Sequence, residues 1–284
     1  MAGSKIKAAV CCNMGKVRRN NEDNFYLAGK YMPLKQMDAG GTFTFEGTGS
    51  QIFAVCDGMG GGEAGEEASF MVADALNDAI VNGGITSAKQ ICDIMQRTSN
   101  KIHKRHSSVC GSTLALLALD NGHVLIMNIG DSRIYRLRNG KLKQVSVDHV
   151  GLQAHSITQY IGMDEDEPLA PHMRMDDMGE WTVSADTDNV YLLCSDGLTD
   201  LVADADIKKV LLELRDPKAA AEKLVDMALM RGGKDNTTVM VVRVPQDMMA
   251  MSSKRKISVG LLLGAIGCGV VMLLALIDLF MHLI

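Results

Sequence analysis

Residues 257–277, ISVGLLLGAIGCGVVMLLALI, are 21 consecutive uncharged positions. As a helix rising ~1.5 Å per residue, such a run spans roughly 31 Å, the thickness of a bilayer core. A buried helix of that length in a soluble domain would keep a polar face, and this run has none. It predicts one C-terminal transmembrane helix over 257–281, a juxtamembrane linker over 245–256 and a folded domain over 1–244. Lys254-Arg255-Lys256 stands just before the run, and a basic cluster holds its side of the membrane in the cytosol. The opening MAGSKIKAAVCCNMG has no long apolar core of the signal-peptide kind. The expectation is a single-pass protein of the cell membrane with its main domain in the cytosol. Membrane lipid is then one partner, through the C-terminal helix. Gly260 and Gly264 form one small-xxx-small pair, a candidate for weak dimerisation of that helix.

Charge narrows the function of the main domain. The formal net charge is −5, and the tail from Ser252 onward (Lys254, Arg255, Lys256, Asp278) holds +2, which leaves −7 before it. A domain that acidic is not built to bind nucleic acid by charge. It suits a site in which carboxylates surround cations. The seven cysteines include no CxxC pair, and Cys56 and Cys194 sit inside apolar runs. They read as small buried hydrophobes, not as a disulfide framework.

Apolar runs rich in Val, Ile and Leu predict strands at 52–56, 112–119, 123–129, 189–194 and 237–244. Asp120-Asn121-Gly122 and Asn139-Gly140 mark two hairpins. Helical periodicity covers 64–81, 85–105, 204–214 and 217–230, and the Gly- and Thr-rich stretch 30–50 reads as a loop or irregular hairpin. Strands in hairpins and helices in pairs favour an α+β class, antiparallel sheets covered by helices.

Two of the apolar runs end alike, in Asp57-Gly58 and in Asp196-Gly197. An Asp-Gly at a strand end places a carboxylate at the sheet edge, and the glycine lets the backbone turn sharply. One such end is an ordinary turn. Two of them, with Arg18-Arg19-Asn20-Asn21-Glu22-Asp23 and Gly232-Gly233-Lys234-Asp235-Asn236, put acids on four loops that can converge. Converging carboxylates repel unless cations separate them, and all-oxygen ligands favour Mg²⁺ or Mn²⁺ over Zn²⁺.

The stretches VRRNNEDNF, FAVCDGMGGGEAGEEAS, GSTLALLAL, NIGDSRIYRLRNGKL, YLLCSDGLTDLV and GGKDNTTVMVV, in this order, resemble the metal-dependent protein phosphatase (PPM, or PP2C-like) family. DGMGG and GDSRIY are similar to its bacterial branch. The resemblance covers residues 5–244. It implies an antiparallel β-sandwich flanked by helices, in four α/β/β/α layers, with a centre of two, or three, Mn²⁺ or Mg²⁺ ions at one end. It implies that Asp57 bridges two ions, that the Gly58 carbonyl completes one shell, and that Asp196 and Asp235 hold the other ion. By the same resemblance Glu22 and Asp23 act mainly through water, Asp131 is a ligand of a weaker third ion, and Arg18 grips the phosphate. The implied reaction is hydrolysis of phosphoserine or phosphothreonine in phosphoproteins by in-line attack of a water activated between the ions, with no protein nucleophile. A membrane-bound Ser/Thr kinase and its targets are the partners such an anchored phosphatase would meet.

The sequence departs from the family in two places. Met59 and Gly62 stand where relatives carry a histidine beside the centre, so the local general acid is missing; His149 and His155 are the histidines that could approach. VGLQAHSITQY (150–160) bridges a gap that bacterial relatives fill with a longer flap. The alternative reading is a catalytically weak phosphatase-like module that binds or scaffolds at the membrane; the retained Asp57, Asp196, Asp235 and Arg18 favour the enzyme.

Overall fold

The computed structural model describes residues 5–60, 64–85, 87–106, 110–120, 123–151, 156–164, 167–176 and 189–245. The expected linker (245–256, all but its first residue) and the expected membrane helix (257–281, with Gly260 and Gly264) lie outside the described residues. Among the described residues no helix is long and apolar enough to cross a membrane.

Among the described residues thirteen strands and five α-helices follow one another in the order β1 (Ile6–Asn13), β2 (Asn24–Leu27), β3 (Gly41–Gly47), β4 (Gln51–Cys56), β5 (Gly58–Met59), α1 (Gly65–Asn82), α2 (Ala88–Arg105), β6 (Gly111–Ser112), β7 (Leu114–Asp120), β8 (His123–Ile129), β9 (Arg133–Arg138), β10 (Lys141–Gln144), β11 (His172–Asp176), β12 (Asn189–Cys194), α3 (Asp196–Thr199), α4 (Asp204–Glu213), α5 (Pro217–Met230) and β13 (Thr237–Val244). Eleven of the strands build a six-stranded sheet, β10-β9-β12-β13-β1-β3, and a five-stranded sheet, β11-β8-β7-β4-β2, while β5 pairs with β6. Every described pairing in both is antiparallel.

The sheets stack face to face, and each carries helices on its outer side. The period of two along a strand therefore sends successive side chains into two different cores. In β13, Met240, Val242 and Val244 enter the core between the sheets, while Val239 and Val241 meet α4 and α5. In β12, Tyr191 and Leu193 point to the first core and Val190, Leu192 and Cys194 to the second. In β4, Phe53 and Val55 enter the inter-sheet core, and Ala54 and Cys56 pack under α1 and α2. A strand covered on both faces has no polar side to show, which is why these segments read as unbroken apolar runs.

Local chemistry sets the ends. Ser87 caps α2 by accepting the Gln90 N–H, and Asp216 caps α5 by accepting the Ala219 N–H at 3.1 Å, with Pro217 in the first turn. Asn139 and Gly140 both have positive φ (48° and 68°), the backbone of a two-residue turn matched to strand twist, and they close β9 on β10.

The stretch 30–50, expected as a loop or irregular hairpin, holds a strand between irregular ends. After a 3₁₀ turn at Leu34–Ala39, β3 pairs with β1 along its whole length, from Ile6↔Gly47 to Cys12↔Gly41. Its alternation, Thr-Phe-Thr-Phe-Glu, was masked by flanking glycines. Phe43 and Phe45 turn inward against Phe25 (ring centroids 5.2 Å) and Phe53 (5.8 Å).

Leu192 is fully buried against the α4–α5 layer, whereas Leu212 is 47% exposed on α4. Leu192→Ala should cost about 3 kcal/mol of unfolding free energy in urea titration, and Leu212→Ala no more than about 0.5 kcal/mol.

Candidate metal centre

The centre forms at one edge of the sandwich, where β4 and β12 end, β13 begins and the loop between β1 and β2 passes. β4 stops at Cys56, and the next residue is Asp57. Its backbone is pinned on both sides: the Asp57 N–H donates to Thr113 Oγ1 (3.0 Å), and its carbonyl accepts the Thr113 N–H (2.8 Å). Gly58 follows, and no other residue fits there. A Cβ on Gly58 would lie 2.2 Å from the Gly65 carbonyl oxygen and 2.4 Å from that of Glu22. The Gly58 N–H donates to this same Glu22 carbonyl at 3.1 Å. Gly65 in turn opens α1 against the Glu22 carboxyl, 2.8 Å from where its own Cβ would stand. Asp196 begins the short α3, and a Cβ on the following Gly197 would meet the Asn236 carbonyl at 2.0 Å. Glycines thus let four backbone segments approach closely enough for their carboxylates to share one space.

The sharing is visible in the acids themselves. Asp57 is held well above the ordinary carboxylate range, first by withdrawal from water and then by the negative charges of Asp23, Asp196, Asp131 and Asp235. Asp196 is pushed up to about 7 by burial and by Asp131 and Asp235. Asp23, fully buried, is pushed up to about 7 by burial, although Ser195 donates to its Oδ2 at 2.7 Å. Burial also raises Glu22 and Asp131. Asp23 Oδ1 and Asp131 Oδ1 are buried without any hydrogen-bond donor. Buried acceptors left open among mutually repelling acids call for a cation.

The donor set fits hard divalent ions: carboxylate oxygens with the Gly58 carbonyl beside them. Among the described residues no three His, Cys, Asp or Glu side chains form a ready-made cluster around one ion. The acids meet around Asp57 more loosely than that, and water would fill part of each shell.

The structure thus brings Asp57, Asp23, Asp196, Asp131 and Asp235 within electrostatic reach of one another, with Glu22 and Gly58 packed beside Asp57. Arg18 is placed differently from a free phosphate clamp. Its guanidinium donates to Asp235 Oδ2 at 2.6 Å and stands 3.9 Å from Glu22 Oε2, while nearly half of the side chain stays exposed. His149 is no general acid here. Its Nδ1 accepts the Gly130 N–H (3.2 Å), and its Nε2 lies 3.0 Å from the Ala170 carbonyl, so backbone occupies both ring nitrogens. His155, Gly61 and Gly62 fall outside the described residues.

Three neutral residues that the sequence did not mark hold the frame. Asn236 accepts the Glu22 N–H (2.9 Å) and donates to the Met14 (2.8 Å) and Asn20 (3.0 Å) carbonyls. Thr113 pins Asp57 and shares a 2.7 Å hydrogen bond with Ser132, next to Asp131. Ser195 joins Asp23 to the Thr238 N–H. Asn236 and Ser195 adjoin Asp235 and Asp196 in the sequence, whereas Thr113 stands in an apolar run with no acid beside it.

Comparison with known proteins decides the family. The sequence model of "Protein phosphatase 2C" matches residues 35–230. The serine/threonine phosphatase Stp of Listeria innocua is 30% identical over 251 residues, covering 80% of this chain and 92% of that protein. The chain belongs to the protein phosphatase 2C family. It is a metal-dependent protein serine/threonine phosphatase. PstP of Mycobacterium tuberculosis is 31% identical over 265 residues, covering 84% of this chain and 45% of PstP. The solved catalytic domain of a PstP phosphatase, in complex with two manganese ions, aligns with a TM-score of 0.66 at 29% identity, covering 86% of this chain and all of that one. PppA of Pseudomonas aeruginosa aligns with a TM-score of 0.64 at 28% identity, covering 84% and 97% of the two chains. The α+β sandwich of antiparallel sheets and flanking helices is the fold that the family resemblance implied.

The raised acids give a pH signature. Asp23 and Asp196 titrate near 3.8 in the unfolded chain and at about 7 in the fold. The metal-free fold therefore holds these protons more tightly than the unfolded chain does. That stabilising contribution is complete below pH ~4 and is lost as pH rises to ~7. Divalent ions held by these acids would take the place of the protons. The gap in Tm between Mn²⁺-loaded and chelator-treated protein should widen from pH 5 to pH 7.5 in calorimetry; a gap independent of pH would contradict this.

Proposed function

We propose that the chain hydrolyses phosphoserine and phosphothreonine at this centre, where Asp57 would be shared by two divalent ions, the Gly58 carbonyl and Asp196 and Asp235 would help to hold them, Glu22 and Asp23 would act through water, and Asp131 would serve a third ion. The convergence of four acids on Asp57 is the observation that carries this assignment. Bound divalent ions would supply Lewis acidity, neutralising phosphoryl charge and making water a nucleophile at neutral pH. The protein's own residues do the rest. Thr113 and the Gly58–Glu22 contact hold the Asp57 backbone fixed, so its carboxylate needs no reorganisation during the reaction. Arg18 sits at the rim with one face on Asp235 and the other open to solvent, where a planar guanidinium can take two phosphate oxygens. In-line attack then releases phosphate and the serine or threonine alcohol. His149, committed to backbone, does not supply the alcohol's proton.

In the full-length chain, Asp57→Asn should lower kcat on a phosphothreonine peptide by at least roughly 100-fold under saturating Mn²⁺, since one neutral amide cannot hold two cations. Arg18→Ala should act mainly on KM, by roughly 10- to 100-fold, the loss of a charged hydrogen bond. Near wild-type turnover by Asp57→Asn would overturn the assignment.

The phosphatase domain, residues 1–244, is also proposed to be tied by the 245–256 linker to one membrane span at 257–281, facing the cytosol. The apolar run and the Lys254-Arg255-Lys256 cluster support this. Confinement to a surface raises the effective concentration of membrane-bound phosphoproteins, a Ser/Thr kinase among them, without any new contact. The full chain should pellet with membranes, and external protease should leave the domain intact in sealed right-side-out vesicles; recovery in the soluble fraction would overturn the anchor.

A further inference from the structure

Two loops beside the centre behave as one piece. Residues 14–19 and 231–235 are joined by the Lys16 N–H donating to the Gly233 carbonyl at 2.8 Å. Gly15, at φ +82°, leaves no room for a side chain, because a Cβ there would stand 2.4 Å from the Asp235 carbonyl oxygen. A Cβ on Gly233 would reach the Lys16 Cγ at 3.2 Å. Asn236 bonds the Met14 and Asn20 carbonyls from below. This joined rim carries both Arg18 and Asp235, so whatever lies on it lies beside the phosphate site.

Its remaining charges are all positive and uncommitted. Arg18 is engaged by Asp235 and Glu22, and Arg231 by Asp206 at 2.6 Å. Lys16, Arg19 and Lys234 are exposed, and among the described residues none has a carboxylate within ion-pair distance. Val17, between Lys16 and Arg18, is 65% exposed. Lone surface lysines are ordinary. Three uncommitted cations on one hydrogen-bonded rim, in a part of the chain with a net charge of −7, are a local reversal of sign at the mouth of the site.

We infer that Lys16, Arg19 and Lys234 form a docking surface for acidic residues flanking the phosphorylated side chain, so that acidic phosphopeptides are the favoured substrates. This rests on the phosphatase reading above. An extended peptide advances ~3.3 Å per residue, so a phosphoresidue held near Arg18 places its first few neighbours over the rim. Each exposed pair contributes little, so the preference is a sum of small terms: about tenfold in kcat/KM, and weakened by salt.

The test compares three phosphothreonine peptides of equal length, flanked by Asp/Glu, by Ala/Gln or by Lys/Arg, on the detergent-solubilised full chain with Mn²⁺. Hydrolysis of an aryl phosphate normalises each variant for an intact centre. The wild type should favour the acidic over the neutral peptide about tenfold, and the preference should shrink as NaCl rises. K16E/R19E/K234E should shift the preference to the basic peptide; should it fold poorly, K16Q/K234Q should reduce the acidic preference severalfold. Equal kcat/KM on acidic and neutral peptides, or a preference unchanged in the variants, would overturn the docking surface. Failure to hydrolyse any peptide or the aryl phosphate overturns the phosphatase reading itself, a result distinct from hydrolysis without preference.

Discussion

The repulsion among Asp23, Asp57, Asp131, Asp196 and Asp235 is the constraint that the rest of the molecule is arranged around. Taken alone, each of these acids would ionise in water. Gathered at one edge of the sandwich, they resist ionisation, and burial adds to the resistance. A fold that spends stability in this way must hold the carboxylates by other means. Backbone hydrogen bonds at Thr113 and Gly58, the Asn236 hub and the Ser195 bridge do this, and Thr113, Asn236 and Ser195 each adjoin an end of a long buried strand, β7, β13 and β12.

The same arrangement explains why catalysis needs so little from side chains. Rigid acids that repel one another bind divalent cations strongly, and the cations supply the charge that a phosphate dianion requires. The protein adds one guanidinium at the rim and an exact place for each carboxylate. On the proposed assignment, holding an ion and holding a phosphate would be coupled through Arg18, which touches Asp235 and Glu22 while nearly half of its side chain stays exposed. A change at Asp235 should therefore disturb both.

Much of this was legible in the sequence because burial on both faces writes long apolar runs, and because an acid at the end of such a run is conspicuous. The strands at 189–194 and 237–244 fall where the runs predicted, and the helix read over 217–230 spans Pro217–Met230. β3 was hidden because an edge strand half-buried on one face carries Thr and Gly, the residues of loops. The partner of Arg18 was hidden for a different reason. Spacing along the chain places Arg18 near Glu22, but only the closure of β1 on β13 brings Asp235 to it. Asn236, Thr113 and Ser195 are neutral and common, and their roles exist only in the contacts they make. His149 stood out as a candidate acid by type alone; its two backbone partners assign it to structure.

The central claim is that Asp57 lies between two divalent ions. Anomalous diffraction at the manganese edge, on crystals of the protein grown with Mn²⁺, tests it directly. The account predicts two strong peaks within bonding distance of the Asp57 carboxylate, one also beside the Gly58 carbonyl and the other beside Asp196 and Asp235. Manganese bound elsewhere on the chain, with the Asp57 carboxylate free of metal, would contradict it.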